Sequence, residues 1–142
     1  MSNLSAFLHP AVLHEEKEVV ISNRFIGEDG KPVPFKIRAL SQEENAELSR
    51  KSTRRERLKG GKAQDIFKGD EYTARLVVAA TVEPDFTAKE LGEAYGVIDP
   101  IKVPGKMLRL GEYQTLVTAI LALSGMDDGE DNADEERDEA KN

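Results

Sequence analysis

The stretch that decides the fold is residues 70–82, DEYTARLVVAATV, in which apolar side chains recur at helical spacing. Four of them fall on one side of a helix: Tyr72, Leu76, Ala79 and Ala80. Three valines lie close to the same side, which makes the apolar face broad. We therefore predict a core helix over residues 70–82.

A second core helix is predicted over residues 112–124. Its apolar side chains also repeat at helical spacing, and they are Tyr113, Leu116, Val117, Ile120 and Leu123. Gly125 follows as the terminator. Between the two core helices, Thr87 and Glu90 have the spacing of a capping box, which predicts a short helix over residues 88–95 that ends at Gly96.

The segment before these helices has the pattern of strands. Residues 17–26 (KEVVISNRFI) and 33–39 (VPFKIRA) are rich in β-branched residues and partly alternate, and a turn-forming stretch, Gly27 to Lys31, separates them. In the second run Phe35 and Ile37 share one face, so we expect that face of the strand to pack on the core and the other to face solvent. We predict an N-terminal β-hairpin over residues 17–39.

A further helix is predicted to begin at Ser41, because Ser41 and Glu44 have the spacing of a capping box. It is expected to run to about residue 59, where Gly60 and Gly61 end it, and its thin apolar stripe predicts an exposed helix over residues 41–59. A basic patch lies at the end of this helix and just beyond it, with a local charge of +6 when Glu56 is counted against its seven cations: Arg50, Lys51, Arg54, Arg55, Arg57, Lys59 and Lys62.

The 142 residues contain no cysteine, which excludes disulfides, thiolate zinc sites and cysteine nucleophiles and indicates a reducing compartment. No apolar run approaches the ~20 residues of a membrane span, and the start of the chain lacks the features of a secretory signal. We expect a cytoplasmic α+β protein, mainly helical, with one domain over residues 17–126 and an apolar N-terminal arm over residues 1–16. Nine acidic residues against Arg137 and Lys141 give residues 127–142 a net charge of −7, equal to that of the whole chain, and this tail is expected to be disordered.

No motif in the sequence predicts catalysis, a metal or a cofactor. His9 and His14 are five residues apart with Pro10 between them, a poor spacing for ligands on one helical face. Gly60-Gly61-Lys62 resembles the end of a phosphate-binding loop, but Ala63 stands where Ser or Thr would bind magnesium. We therefore expect a non-enzymatic protein that binds other proteins.

Binding of nucleic acid through the basic segment, residues 50–62, is the alternative hypothesis, with the chain as a small regulatory protein. Lysine and arginine along an exposed helix would neutralise phosphates. The isoelectric point near 5.0, the acidic tail and the lack of interleaved aromatic residues count against this interpretation. A solvated helix face or a patch for an acidic protein is favoured.

Several long strings resemble the phage tail assembly chaperones of the PBSX-prophage type, the XkdN-like family. The order of these strings is LSAFLHP, EKEVVISNRF, GKPVPFKIRAL, ARLVVAATVEPDF, LGEAYGVIDP, VPGKML and GEYQTL. They cover residues 4–125, and the most specific stretches are residues 75–86 and 91–107. The basic segment and the tail contribute nothing to the resemblance.

The resemblance implies a chaperone that binds the tape measure protein of a long-tailed phage or prophage, helps to recruit tail tube subunits around it and is absent from the mature particle. An apolar groove would cover the apolar stripe of the helical tape measure protein. The candidates for this contact lie in the arm and near the last helices: Leu4, Phe7, Leu8, Tyr95, Met107, Leu108 and Leu110. The same side chains would complete the core if they serve no partner.

Overall fold

The computed structural model describes residues 3–11 and 15–126. The predictions for His14, for residues 1–2 and 12–13 of the N-terminal arm and for the acidic tail fall outside these residues. The architecture is α+β in one domain. The helices are α1 Leu4–Leu8, α2 Gln42–Lys51, α3 Gly69–Ala80, α4 Lys89–Tyr95, α5 Val103–Met107 and α6 Leu110–Leu121, with a 3-10 turn Pro100–Lys102 and a π turn Ala122–Met126. The strands are β1 Glu16–Val19, β2 Phe35–Arg38, β3 Thr53–Arg57, β4 Ala63–Phe67 and β5 Thr81–Glu83.

The larger sheet has three antiparallel strands in the order β1-β2-β5. β1 and β2 are the paired strands of the hairpin predicted over residues 17–39, and they occupy only its first and last residues. Glu16 lies opposite Arg38, and Val19 lies opposite Phe35. The connection of residues 20–34 is longer than a simple turn and is folded on itself, because Val33 N–H donates to the Phe25 carbonyl at 2.8 Å. β5, which the sequence analysis did not predict, continues directly from α3 and pairs with β2.

The core lies between this sheet and helices α3 and α6. Among the residues that the structure describes, thirteen buried apolar residues form this core, including Leu76, Val77 and Ala80 of α3 and Leu116 and Ile120 of α6. A chain of three aromatic rings crosses the core: the Phe25 and Phe35 centroids are 5.8 Å apart, and those of Phe35 and Phe86 are 6.4 Å apart. The two helices predicted as core elements therefore contact each other and contribute to one hydrophobic core.

The start of α2 has the predicted capping box. The Ser41 hydroxyl accepts from Glu44 N–H at 3.1 Å, and Ser41 N–H donates to the Glu44 carboxylate at 3.2 Å. The same carboxylate accepts from Arg38 of β2 at 2.6 Å. The cap thus joins the first turn of α2 to the central strand of the sheet.

Replacing Ser41 with alanine is expected to lower the free energy of unfolding by about 1 kcal/mol, because an amide of the first turn loses its acceptor. Urea denaturation measures the change. Ser49→Ala is the matched control, because it removes a hydroxyl within α2 but away from the first turn. A loss of stability in Ser49→Ala but none in Ser41→Ala would contradict the prediction.

The helix predicted over residues 41–59 is wrong in its second half. α2 ends at Lys51, and residues 53–67 form the hairpin β3–β4, in which Arg55 lies opposite Asp65 and Arg57 opposite Ala63. Ser52 and Thr53 explain the end of the helix, since their hydroxyls donate back to the Leu48 and Ser49 carbonyls at 2.8 and 2.9 Å. Gly60 and Gly61, with φ of +100° and +82°, form the hairpin loop instead of a helix end.

The other helices start or end a few residues from their predicted bounds. The range 70–82 corresponds to α3, which gives way to β5 at Thr81, and the range 112–124 corresponds to α6 and the first residues of the π turn. The capping box predicted at Thr87 is wrong: Thr87 donates its backbone N–H and its hydroxyl to Asp85, and α4 begins at Lys89 without a side-chain cap. Gly96, with φ of +71°, ends α4 at the predicted position.

Candidate protein-binding surfaces

The N-terminal arm presents apolar side chains on a short helix. None of the residues of α1 is buried, and the exposed fractions are 59% for Leu4, 81% for Phe7 and 63% for Leu8. An exposed phenylalanine and two leucines within five residues form an apolar surface of the kind that marks an interaction site.

The second set of predicted contact residues is divided between the core and the surface. Met107 and Leu108 are buried, each with 8% of its surface exposed, and Tyr95 packs half-buried against the core. Leu110, at the start of α6, is 77% exposed. Of these four residues, Leu110 alone presents its side chain to solvent.

An apolar groove lies beside the connection between β1 and β2, and we call it the β1–β2 groove. It has a volume of about 480 Å³ and is lined by Arg24, Phe25, Ile26, Val33, Pro34, Phe35, Glu83, Pro84 and Met107. Buried Phe35 and Met107 belong to the core as well. Ile26 and Val33 are 53% and 48% exposed, so apolar side chains face solvent at the groove.

A charged pair fixes one side of this groove. Arg24 Nε donates to the Glu112 carboxylate at 3.0 Å, and a second guanidinium nitrogen donates to the Met107 carbonyl at 3.1 Å. The guanidinium carbon lies 5.0 Å from the centre of the Phe25 ring. The Glu112 carboxylate also accepts from the Arg109 backbone N–H at 2.8 Å, so the start of α6 is tied to the loop that forms the groove.

Arg24 and Arg38 lower the pKa values of two carboxyl groups that join separate elements. Hydrogen bonds from Arg24 lower the pKa of Glu112 from 4.5 to about 2, and those from Arg38 lower the pKa of Glu44 from 4.5 to about 2. Both groups are ionised at neutral pH. Each carboxylate thus favours the folded chain as long as it stays ionised.

Stability is therefore expected to fall as the pH drops from about 4.5 to about 2. The folded pKa values of both groups are lower than the unfolded values, so their contribution is present above pH 4.5 and is lost through the folded pKa near 2. Urea denaturation at several pH values measures this decline. In a chain carrying Glu44→Gln and Glu112→Gln the decline should be smaller, whereas an unchanged slope would contradict these pairs as its source.

Sequence reasoning missed the β1–β2 groove, although it identified one of its residues, Met107. Ile26 and Val33 were assigned to hairpin strands, whereas both lie in the folded connection, where an isolated bridge joins Ile26 to Pro32. The available signal was the turn-forming stretch Gly27 to Lys31 with an apolar residue near each end.

The basic patch lies on the end of α2 and the hairpin β3–β4 rather than on one helix. Three of its arginines have acidic partners: Arg50 pairs with Glu47, Arg54 with Glu71 at 2.6 Å and Arg55 with Asp65 at 3.3 Å. The pKa of Glu47 is lowered by its hydrogen bonds to Arg50. Within residues 3–11 and 15–126, Lys51, Arg57, Lys59 and Lys62 form no ion pair.

The structure offers no metal centre among the residues it describes. No group of three potential ligands occurs there, and His9 caps the end of α1 while His14 lies outside the described residues. In that same part of the chain, no helix is long and apolar enough to cross a membrane.

Comparison with known proteins identifies one family. The model of the phage XkdN-like tail assembly chaperone family matches residues 4–141. Two proteins of Bacillus subtilis (strain 168) are similar: YqbN is 37% identical over 122 residues, covering 85% of this chain and 82% of YqbN, and the phage-like element PBSX protein XkdN is 33% identical over 124 residues, covering 86% and 83%. A crystal structure of the protein YqbN superposes with a TM-score of 0.68 at 32% identity, covering 84% of this chain and 94% of that one.

Proposed function

The chain belongs to the phage XkdN-like tail assembly chaperone family, and we propose that it binds the tape measure protein of its phage and helps to recruit tail tube subunits around it. The family match over residues 4–141 is the observation that carries this proposal. The chaperone acts without catalysis in the host cytoplasm and is absent from the mature particle.

The apolar surfaces of the described residues suit such a partner. A tape measure protein is a long helix whose apolar stripe must be covered until the tube closes around it. Exposed Ile26 and Val33 line the β1–β2 groove together with buried Phe35 and Met107, which gives an amphipathic helix an apolar surface to bind. Arg24 and Glu83 border the same groove and would contact the polar side of the bound helix.

The N-terminal arm supplies a second apolar surface for the tape measure protein. Phe7, with 81% of its surface exposed, is a large aromatic anchor of the kind that dominates binding energy at interfaces. Its exposure also means that a change at this position leaves the core of the chaperone intact. In this proposal the arm serves the partner rather than the fold.

Co-expression with the tape measure protein from the same genome tests the proposal. The tape measure protein should stay soluble and co-purify with the chain, and the complex should persist from about 0.05 M to about 1 M salt, because an apolar contact is insensitive to screening. Binding through the cations of β3–β4 would instead weaken steeply with salt. The tape measure proposal fails if that protein stays insoluble and no complex forms at any salt concentration.

The variant Phe7→Asp should weaken this complex, since it would place an unpaired charge in an apolar contact. Ser5→Asp on the same short helix introduces the same charge and is the matched control. Circular dichroism must show that both variants keep the helical content of the unaltered chain. Equal binding by both variants would remove the arm from the interface.

A further inference from the structure

The cations of the hairpin β3–β4 fall into two groups. Near the base of the hairpin, Arg54 and Arg55 pair with Glu71 and Asp65, and Lys68 pairs with Glu56 at 2.7 Å. At the tip, Arg57, Lys59 and Lys62 form no ion pair with any residue in 3–11 or 15–126. The base is thus neutralised, and the tip carries uncompensated positive charge.

The three tip cations are held close together by the geometry of the loop. Arg57 is the last residue of β3, and Lys62 directly precedes β4. Leu58 N–H donates to the Lys62 carbonyl at 2.9 Å and so brings the two ends of the loop together, with Lys59 between them. All residues from 57 to 65 are exposed. Like charges at this spacing repel one another, so an anionic ligand would be favoured here.

The acidic tail begins close to the base of the same hairpin. Met126, the last described residue, lines a small cavity together with Tyr72. The Tyr72 ring in turn lies 5.5 Å from the ring of Phe67, the last residue of β4. The last described residue before the tail thus lines the same cavity as Tyr72, whose ring contacts the base of the hairpin.

The length of the tail is sufficient for it to reach the tip. From Phe67 to Ala63 the strand β4 spans about 13 Å. The tail, residues 127–142, can extend to roughly 50 Å at ~3.3 Å per residue. Its nine acidic and two basic residues give it a net charge of −7, opposite in sign to the charge of the tip.

We propose that the acidic tail, residues 127–142, binds the tip of the hairpin β3–β4 of the same chain through Arg57, Lys59 and Lys62. The tethered tail is present at a millimolar effective concentration, which compensates for the weakness of single exposed ion pairs. It thereby covers the phosphate-binding surface that these cations would otherwise offer. The tail keeps a basic hairpin from binding nucleic acid while the apolar surfaces remain open.

Nuclear magnetic resonance tests the contact directly. The backbone amide signals of residues 57–62 in the full chain should differ from those in a chain that ends at Met126, and the difference should disappear as salt rises to about 0.5 M. The spectra must be independent of protein concentration, since a concentration-dependent difference would mean binding to a second copy and would overturn the intramolecular contact. Identical signals for residues 57–62 in the two chains would overturn it as well.

Retardation of a duplex DNA of about 20 base pairs at about 0.05 M salt tests the consequence. The chain that ends at Met126 should bind at least about tenfold more tightly than the full chain, because the tethered competitor is gone. A full-length variant in which the nine tail acids become Asn or Gln should bind like the truncated chain. Equal DNA binding by the full and truncated chains would overturn the proposed covering role.

A matched pair of triple variants of the truncated chain locates the binding surface. Arg57→Gln, Lys59→Gln and Lys62→Gln together should abolish the gain in DNA binding. Lys17→Gln, Lys102→Gln and Lys106→Gln remove the same charge at exposed positions elsewhere and should retain it. Equal losses in the two triple variants would mean that net charge alone controls binding and would overturn the assignment to the tip. Melting temperatures must show that all chains are folded.

Discussion

Replacing Phe86 with alanine is expected to lower the free energy of unfolding by about 3–5 kcal/mol. Phe86 is 1% exposed, and its ring packs 6.4 Å from that of Phe35 in the central strand. The substitution removes one end of the aromatic chain that crosses the core and leaves a cavity behind. Because small domains are stable by about 5–15 kcal/mol, the variant should lose a large part of its stability.

Urea denaturation followed by circular dichroism measures this effect, and Phe67→Ala is the matched control. Phe67 is 51% exposed and contacts Tyr72 at the base of the hairpin, so the same substitution should cost about 1 kcal/mol or less there. A change of less than 1 kcal/mol in Phe86→Ala would contradict the role of Phe86 as a central core residue.

The elements that the sequence predicted best are those whose side chains repeat against one buried surface. Leu76, Val77 and Ala80 are buried in α3, and Leu116 and Ile120 are buried in α6. Helical spacing places these side chains on one side, and burial requires that side to face the core. The Ser41 cap was predictable for a different reason: its hydrogen bonds are local and depend on spacing alone.

The hairpin β3–β4 was missed because its residues have no strong periodicity and because two glycines can end a helix or form a turn. The segment from Thr53 to Phe67 is almost entirely exposed, so no buried side defines a period of two. Two sets of contacts decide the structure here. The Ser52 and Thr53 hydroxyls bond back to carbonyls of α2 and end that helix. Lys68 N–H donates to the Ser52 carbonyl at 2.8 Å and closes the base of the hairpin. The last of these depends on residues 16 apart in the chain.

The candidate contact residues show the same limit. An apolar residue in a sequence is compatible with the core and with an interface, and the structure assigns Met107 and Leu108 to the core and Phe7 and Leu110 to the surface. The β1–β2 groove depends on the folded connection between two strands and on β5, which the sequence analysis did not predict. Pairing of elements distant in the chain created the groove, and a local pattern does not report such pairing.

Replacing Val33 with aspartate is expected to weaken binding of the tape measure protein by at least about 30-fold, the effect of losing one interface hot spot of about 2 kcal/mol. Val33 is 48% exposed in the β1–β2 groove, where a carboxylate would lose its water when an apolar helix binds. Its backbone N–H keeps the bond to the Phe25 carbonyl whatever the side chain, so the loop should retain its fold.

The affinity is best measured by titration calorimetry with a soluble fragment of the tape measure protein. Leu58→Asp is the matched control, because Leu58 is 43% exposed and lies at the tip of the hairpin β3–β4, outside the groove. Both variants receive the same charge at a half-exposed apolar position, so their stabilities should change by similar small amounts. If Val33→Asp and Leu58→Asp bind equally well while both are folded, the tape measure protein does not occupy the β1–β2 groove. A selective loss in Val33→Asp would instead assign the groove to the partner, since burial of an unpaired carboxylate weakens binding only where the interface excludes water.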